Sequence, residues 1–292
     1  MPAYHNAGHR PEISFEFFPA KTKEGHVALL ETARNLASLS PSFMSVTYGA
    51  GGSTQERTLE TLSDMASELS VPLAGHLTCV GASKDEVHKV AQAYWDAGIK
   101  HILALRGDPP PVNGKPTAFQ PHPQGYKSAC ELVKGLKKLA PFKISVAAYP
   151  ETHPQAISSE ADIDNLKRKF DAGADQAITQ FFFSPEAFLK FRDKLSKIGV
   201  DKAVIPGILP ISNAEQAWKF ATICGAAVPK ELRDLFEGVD EYPAVRTRLA
   251  AAIADRICQT LRSEGVEHFH FYTLNKSAAS TSLSLLLGRH LS

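Results

Sequence analysis

Eight short apolar stretches, each followed by a segment with helical spacing of its apolar residues, recur along the chain with no Gly/Ser linker between them. Strand candidates are 13–19, 43–49, 73–79, 101–107, 143–149, 176–183, 203–209 and 267–274. Helical periodicity covers 21–39, a stretch ending near 69, 83–97, 126–139, 160–172, 185–197, 213–223, 229–236, 243–264 and 278–287. Strands that alternate with helices form parallel sheets, and eight such units close into an α/β, (β/α)8 TIM-type barrel. A length of 292 residues suits that single-domain fold, for which about 250 is typical. An open doubly wound sheet would usually carry a glycine fingerprint after its first strand. Here the first strand ends in Phe18-Pro19-Ala20. The expected division is a loose N-terminal tail over 1–11 and one catalytic barrel over 12–292.

Charge and composition exclude several classes. A net charge of +1 gives no electrostatic case for nucleic acid or an anionic membrane. There is no apolar run of about eighteen residues, so no span is expected. Residues 1–10 lack the apolar region of a signal peptide. Cys79, Cys130, Cys224 and Cys258 are far apart and form no CxxC, as in reduced thiols of a cytoplasmic protein.

Barrel enzymes carry their chemistry at the C-terminal ends of the strands. Those ends hold Glu16, Thr47-Tyr48, His76 and Thr78, Arg106-Gly107-Asp108, Tyr149 to His153, Gln180, and Tyr272 to Lys276. Glu16 lies among Phe15, Phe17 and Phe18. Burial there would raise its pKa and favour the protonated acid, the form needed for general acid catalysis. Alternatively, Glu16 is an incidental polar residue on an apolar strand. Asp108 would favour a developing cation nearby, or else pair with Arg106 as a structural corner. Asp162 and Lys169, seven apart, share a helix face that is solvated by default. His268 and His270 share a strand face but sit early in the strand, which favours core or surface histidines over metal ligands. No metal site is expected. The segment 108–125 has six prolines and no periodicity, as functional loops of this length do. Gly49-Ala-Gly-Gly-Ser-Thr54 reads as a tight turn, with Ser53 or Thr54 capping the next helix, and Gly114-Lys115-Pro116 lacks the spacing of a Walker loop.

Taken in order, Ser14-Phe-Glu-Phe-Phe-Pro19, Ser45-Val-Thr-Tyr-Gly49, His76-Leu-Thr-Cys79, Leu105-Arg-Gly-Asp108, Ala148-Tyr-Pro-Glu-Thr-His153, Gln180-Phe-Phe-Phe183, Pro206-Gly-Ile-Leu-Pro210 and His270-Phe-Tyr-Thr-Leu-Asn275 resemble the bacterial methylenetetrahydrofolate reductases. The resemblance implies an FAD-dependent oxidoreductase that reduces 5,10-methylenetetrahydrofolate to 5-methyltetrahydrofolate by a ping-pong mechanism. NADH or NADPH is the implied hydride donor, with NADH favoured. Glu16 matches the family's general acid and Asp108 the carboxylate near flavin and pterin. Thr47, His76, Leu105, Arg106, Gly107, Asp108, Tyr149, His153, Asp162 and Lys169 match cofactor-binding positions. Gln180, Phe220 and Lys276 match folate or nicotinamide contacts. Lys276 stands where close relatives carry arginine, keeping the charge but not the fork. The proline-rich loop is longer than in those relatives. A homo-oligomer is implied, and a second, regulatory domain is not expected. Two other readings are a metal-assisted barrel hydrolase or lyase using His76, His153 and Asp108, and a non-catalytic flavin or folate binder.

Overall fold

The computed structural model describes residues 10–48, 55–109 and 117–291. The turn at 49–54 with its capping residues, Gly114 to Pro116, and residues 1–9 of the expected tail lie outside these. Strands and helices alternate in the order β1 (Glu12–Phe17), α1 (Lys23–Ala37), β2 (Phe43–Val46), α2 (Gln55–Glu68), β3 (Leu73–Thr78), α3 (Lys84–Asp96), β4 (His101–Leu105), α4 (Ala129–Leu139), β5 (Lys143–Ala148), α5 (Ser159–Asp171), β6 (Gln176–Thr179) and α6 (Pro185–Lys197). Then come β7 (Ala203–Ile205), β8 (Gly207–Ile208), α7 (Ala214–Cys224), α8 (Lys230–Phe236), a 3-10 turn (Val239–Glu241), α9 (Pro243–Ser263), β9 (His268–Tyr272) and α10 (Ala278–Leu286).

All strand pairs are parallel, in the order β7-β6-β5-β4-β3-β2-β1-β9-β8. The two sheet ends, β7 and β8, are consecutive in the chain and separated only by Pro206. Proline has no N–H for the ladder, so the expected seventh strand breaks there. Its first piece pairs with β6, its second with β9, and His270 N donates to Pro206 O at 3.0 Å across the joint. The barrel therefore closes through one strand in two pieces, as the expected (β/α)8 fold.

Helix ends follow from capping chemistry. Ser83 and Glu86 form a reciprocal capping box at α3. The helix expected from 126 begins at Ala129 instead, because the Ser128 hydroxyl accepts from Glu131 N and acts as the cap. Gly225 closes α7 in the left-handed conformation.

Strand alternation sorts the side chains into two compartments. Ile13, Phe15 and Phe17 face outward and join Leu29, Leu36, Met44 and Val46 in the core between barrel and helices. Among the described residues the barrel interior carries a small apolar plug of Phe43, Ala74, Leu103, Ile178 and Ile205. Branched apolar residues usually fill this space. Here Ser14, Ser45, His76, His101, Ser145, Gln176 and His270 are buried as well. The phenylalanines beside Glu16 in sequence are thus not what surrounds it. Two lie on the other face of the strand, and Phe18 is exposed.

Candidate functional site

Parallel register aligns Glu12 with His268, Ser14 with His270 and Glu16 with Tyr272. Alternate residues share a face, so these pairs form successive inward layers from the N-terminal end to the mouth. Glu16 occupies the upper layer, its side chain 15% exposed. His76 Nε2 from β3 lies 3.2 Å from Glu16 Oε2, and His270 Nε2 lies 3.6 Å from the same oxygen. Both nitrogens are buried without an aligned hydrogen bond, at ion-pair distance from the carboxylate. Burial pushes the Glu16 carboxyl up, but the two imidazoles outweigh it and hold it down at about 2. The neutral acid expected from the apolar sequence context is therefore not the form this environment favours. Burial, with ionised Glu16 adding to it, pushes the Tyr272 phenol well above its ordinary range. Tyr272 Oη donates to Thr179 O at 2.7 Å. Gly207 leaves room for that ring: a Cβ there would lie 2.6 Å from Tyr272 Cε2 and 2.2 Å from Thr179 O.

Two supports hold the acid in place. The Thr273 hydroxyl donates to the Glu16 carbonyl at 2.6 Å. Tyr94 Oη, from α3, donates to the His76 carbonyl at 2.9 Å.

The rim is built from β4, β5 and α5. Arg106 Nη2 donates to Gln155 Oε1 at 2.7 Å and to Asp108 Oδ1 at 3.3 Å, and its Cζ lies 5.0 Å from the Phe119 ring centre. Gly107 between them has φ +81°, and a Cβ there would meet Val80 Cγ1 at 2.6 Å and Thr78 Cβ at 2.8 Å. Only glycine fits without displacement. The Asp108 side chain is 77% exposed, and its charge reaches Tyr149, His153 and Cys224. The Tyr149 and His153 rings pack edge to face at 4.4 Å. Asp162 accepts from His153 N at 2.8 Å. Lys169 Nζ donates to Ala147 O at 2.8 Å, and burial pushes its ammonium down while Asp162 opposes the shift. Asp162 and Lys169 are therefore a partly buried pair behind the rim, not a solvated face. A cavity of about 200 Å³ opens beside them, lined by Tyr149, Thr152, Asp162, Lys190, Phe191 and Lys194.

Thr47 follows β2, its N–H on Phe17 O at 2.8 Å, and Leu105 ends β4 against the interior plug. Gln180 Oε1 accepts from Phe181 N at 3.0 Å, leaving its NH2 donors for other contacts. Phe220 is partly buried on α7, packed against a cluster that includes Phe181 and Phe183. Lys276 is exposed just beyond β9. Among the described residues no three His, Cys, Asp or Glu side chains converge as a metal site. His76 instead faces Glu16, and His153 Nδ1 accepts from Gln155 N at 3.0 Å.

Sequence reasoning placed Tyr272 at a strand end and His270 among core or surface histidines, but missed that His270 faces Glu16, and it missed Ser14. The available signal was the period-two spacing of Ser14 and Glu16 on the first strand and of His268, His270 and Tyr272 on the last, since these strands must be neighbours in a closed barrel.

The family model described as methylenetetrahydrofolate reductase matches residues 3–288. The 5,10-methylenetetrahydrofolate reductase of Escherichia coli (strain K12) is 46% identical over 276 residues, covering 94% of this chain and 90% of that protein. The Pectobacterium carotovorum protein of the same name is 44% identical over 279 residues, covering 96% and 91%. A plant relative, methylenetetrahydrofolate reductase (NADH) 1 of Arabidopsis thaliana, is 35% identical, covering 94% of this chain and 48% of its own length. Among solved structures, an uncharacterised Clostridium thermocellum protein that binds two copies of 5-methyl-5,6,7,8-tetrahydrofolic acid superposes with TM-score 0.63 at 16% identity, covering 96% of this chain and 94% of that one. Xanthomonas albilineans dihydropteroate synthase with 7,8-dihydropteroate gives TM-score 0.52 at 14% identity, covering 96% and 92%. The last two establish likeness of fold alone. With a family model spanning nearly the whole chain and bacterial relatives at this identity, the chain is an enzyme of the methylenetetrahydrofolate reductase family.

Proposed function

We propose that this enzyme reduces 5,10-methylenetetrahydrofolate to 5-methyltetrahydrofolate, with NADH or NADPH as donor, FAD as carrier and Glu16 as proton donor. The observation that carries the reading is Glu16 itself: one inward carboxyl at the barrel mouth, backed by two imidazoles, in a chain of this family. FAD, when bound, would accept the hydride from the nicotinamide and hand it to the folate. The rim suits such a group. Gly107 makes the left-handed turn, packed on Val80 and Thr78, that sets Arg106 and Asp108 at the rim; Arg106 offers a guanidinium, and Lys169 an ammonium close to His153 and Asp162. Thr47, His76 and Leu105 complete the proposed cradle, and Asp108 closes it on the side of the proline-rich segment.

Hydride must reach a cationic folate iminium, formed when the five-membered ring opens as nitrogen takes a proton. Glu16 gives that proton, and Asp108 favours the cation through its charge. Gln180 would hold the pterin with its carboxamide, Phe220 would pack on the nicotinamide or the folate tail, and Lys276 would meet the tail's carboxylates. NADH is favoured because the plant relative carries that donor in its name. No helix among the described residues is long and apolar enough to cross a membrane. The four cysteines are unpaired, with the Cys79 and Cys224 thiols pushed up to about 11 chiefly by burial. Inert thiols of this kind suit a reducing cytoplasm. A homo-oligomer is part of the same proposal.

Glu16→Gln tests it. Bleaching of bound flavin by NADH should persist, while reoxidation by the folate falls by roughly 10²- to 10⁴-fold. Unchanged folate turnover would remove Glu16 from the acid role. Asp108→Asn should raise the flavin potential and slow folate reduction; a lowered potential would contradict its assignment.

A further inference from the structure

Two loops meet beside the barrel mouth. One, residues 149–158, follows β5 and carries Tyr149 and His153; the other, residues 225–229, follows α7. Both carboxylate oxygens of Glu151 accept from Ala227 N, at 3.1 and 3.2 Å. Among the described residues this is the hydrogen-bonded link between the two loops. Burial pushes the half-buried Glu151 carboxyl up and the Ala227 bond opposes the shift, so the contact forms where hydrogen bonds are stronger than in water. Gly225 brings the two backbones together: a Cβ there would lie 3.0 Å from Pro154 Cγ and 3.7 Å from Thr152 O. Thr152 itself is left-handed at φ 76°. A β-branched residue holds that conformation only where its surroundings impose it, and such residues gather at functional sites.

Both sides of the contact lead to proposed site residues. Gln180, Phe181 and Cys224 line one recess with residues 149–152. The Gly225 and Ala226 amides both donate to Ala221 O, which ties Ala227 to the last turn of α7, and Phe220 directly precedes Ala221. On the other side, His153 N donates to Asp162 Oδ2 at 2.8 Å and Gln155 N to His153 Nδ1 at 3.0 Å. Those bonds brace the β5 loop from within and from α5. Glu151 alone reaches from it to the end of α7 by a hydrogen bond among the described residues.

We propose that Glu151 is a positioning residue that fastens α7, and with it Phe220, to the loop bearing Tyr149 and His153. The aromatic wall for folate and nicotinamide is thereby set from the cofactor side. This positioning rests on the roles proposed above for Phe220, Tyr149 and His153. Elsewhere α7 is held through Trp218, which packs edge to face on Phe183 and Phe236. With the Glu151 contact gone, the end of α7 moves about that anchor. Part of each substrate's binding energy then goes into ordering the helix end instead of appearing as affinity. The contact needs reach more than charge. One N–H is shared by two oxygens, so a carboxamide oxygen replaces them, whereas a side chain one methylene shorter falls short.

Amide hydrogen exchange on the ligand-free protein tests the contact itself. Exchange at Ala227 should speed up tenfold or more in Glu151→Asp and Glu151→Ala, and stay within threefold of wild type in Glu151→Gln. Anaerobic stopped-flow on the holoenzymes tests what the contact does. In Glu151→Asp the dissociation constants for NADH and for 5,10-methylenetetrahydrofolate should each rise fivefold or more. Limiting rates should stay within threefold, flavin content should be unchanged, and Glu151→Gln should recover most of the affinity. In a Phe220→Ala background, adding Glu151→Asp should raise either constant by less than twofold, because the ring it positions is gone. Unaltered exchange at Ala227, or an equal loss of affinity with and without Phe220, would overturn the positioning role and leave the reductase reading standing. Lost flavin with unaltered substrate affinities would do the same. A wild-type holoenzyme that NADH bleaches and the folate does not reoxidise would instead remove the reading, and the positioning role with it.

Discussion

Glu16 Oε2 and His76 Nε2 lie 3.2 Å apart inside the barrel mouth, with His270 Nε2 at 3.6 Å from the same oxygen. The carboxylate owes its form to this pairing. Desolvation alone would make it a neutral acid; two imidazoles at ion-pair distance reverse the sign and hold it at about 2. The unfolded value is the ordinary 4.5, so the pairing contributes stability above about pH 4.5 that is lost as pH falls toward 2. A shift of that size corresponds to roughly 3 kcal/mol. His76→Asn should therefore lower stability near pH 7 by about 1 to 3 kcal/mol. The difference from wild type should shrink below pH 4.5. Urea melts across pH 2 to 7 measure both, and a pH-independent difference would contradict the pairing.

A second prediction concerns how His76 is held. Gly75 faces the outer core, where the Tyr94 ring lies so close that a Cβ would sit 2.5 Å from Tyr94 Cε2. The Tyr94 hydroxyl donates to the His76 carbonyl one residue on. Tyr94→Phe should cost about 1 kcal/mol. Gly75→Ala should cost more, about 1 to 3 kcal/mol, because a rigid ring and a strand must part. Thermal melts of the two variants rank them, and a smaller loss for Gly75→Ala would show that the strand gives way freely.

Residue periodicity reveals the elements because each buries one face, and period two or 3.6 is written into the apolar pattern. The strand ends are less legible. Phe181 and Phe183 continue the apolar run of β6, yet they leave the ladder and pack with Trp218 and other residues near α7. Pro206 divides the seventh strand because its missing N–H matters only once neighbours on both sides are known. Glu16 was legible as chemistry, but its environment was not. Phe15 and Phe17 are neighbours in sequence and face away; His76 and His270 are 60 and 254 residues distant and face it. Asp162 and Lys169 look solvated by spacing alone, since the β5 carbonyl that accepts from Lys169 is 22 residues back in the chain.

Gly107 combines a left-handed backbone with a place in the proposed cofactor cradle. Gly107→Ala would place a methyl against Val80 and Thr78 at a φ of +81°. The strain should amount to about 1 to 3 kcal/mol, relieved by moving Arg106 and Asp108 away from their present contacts. Flavin retained through gel filtration should fall well below the wild-type ratio, with a lowered melting temperature. Full flavin loading with unaltered stability would show that the turn is not part of the cradle.

Asn275 ties the first strand to the last. Its Oδ1 accepts from Phe18 N at 3.1 Å and its Nδ2 donates to Phe18 O at 2.8 Å. Its own backbone is left-handed, at φ 56°, directly after Leu274 at φ 49°. Asparagine tolerates this region better than most residues, and its amide makes both bonds at once. Asn275→Gly keeps the backbone and removes the bonds, so it should cost about 1 to 2 kcal/mol. Asn275→Ala removes the bonds and adds the steric cost of the left-handed conformation, about 1 kcal/mol more. Since Phe18 follows Glu16 by two residues and Thr273 holds the Glu16 carbonyl, both variants should also slow folate reduction more than they weaken folate binding. Denaturant melts and the split between kcat and KM measure the two effects. Equal stability losses for Gly and Ala would remove the backbone contribution, and a loss confined to KM would remove the positioning role.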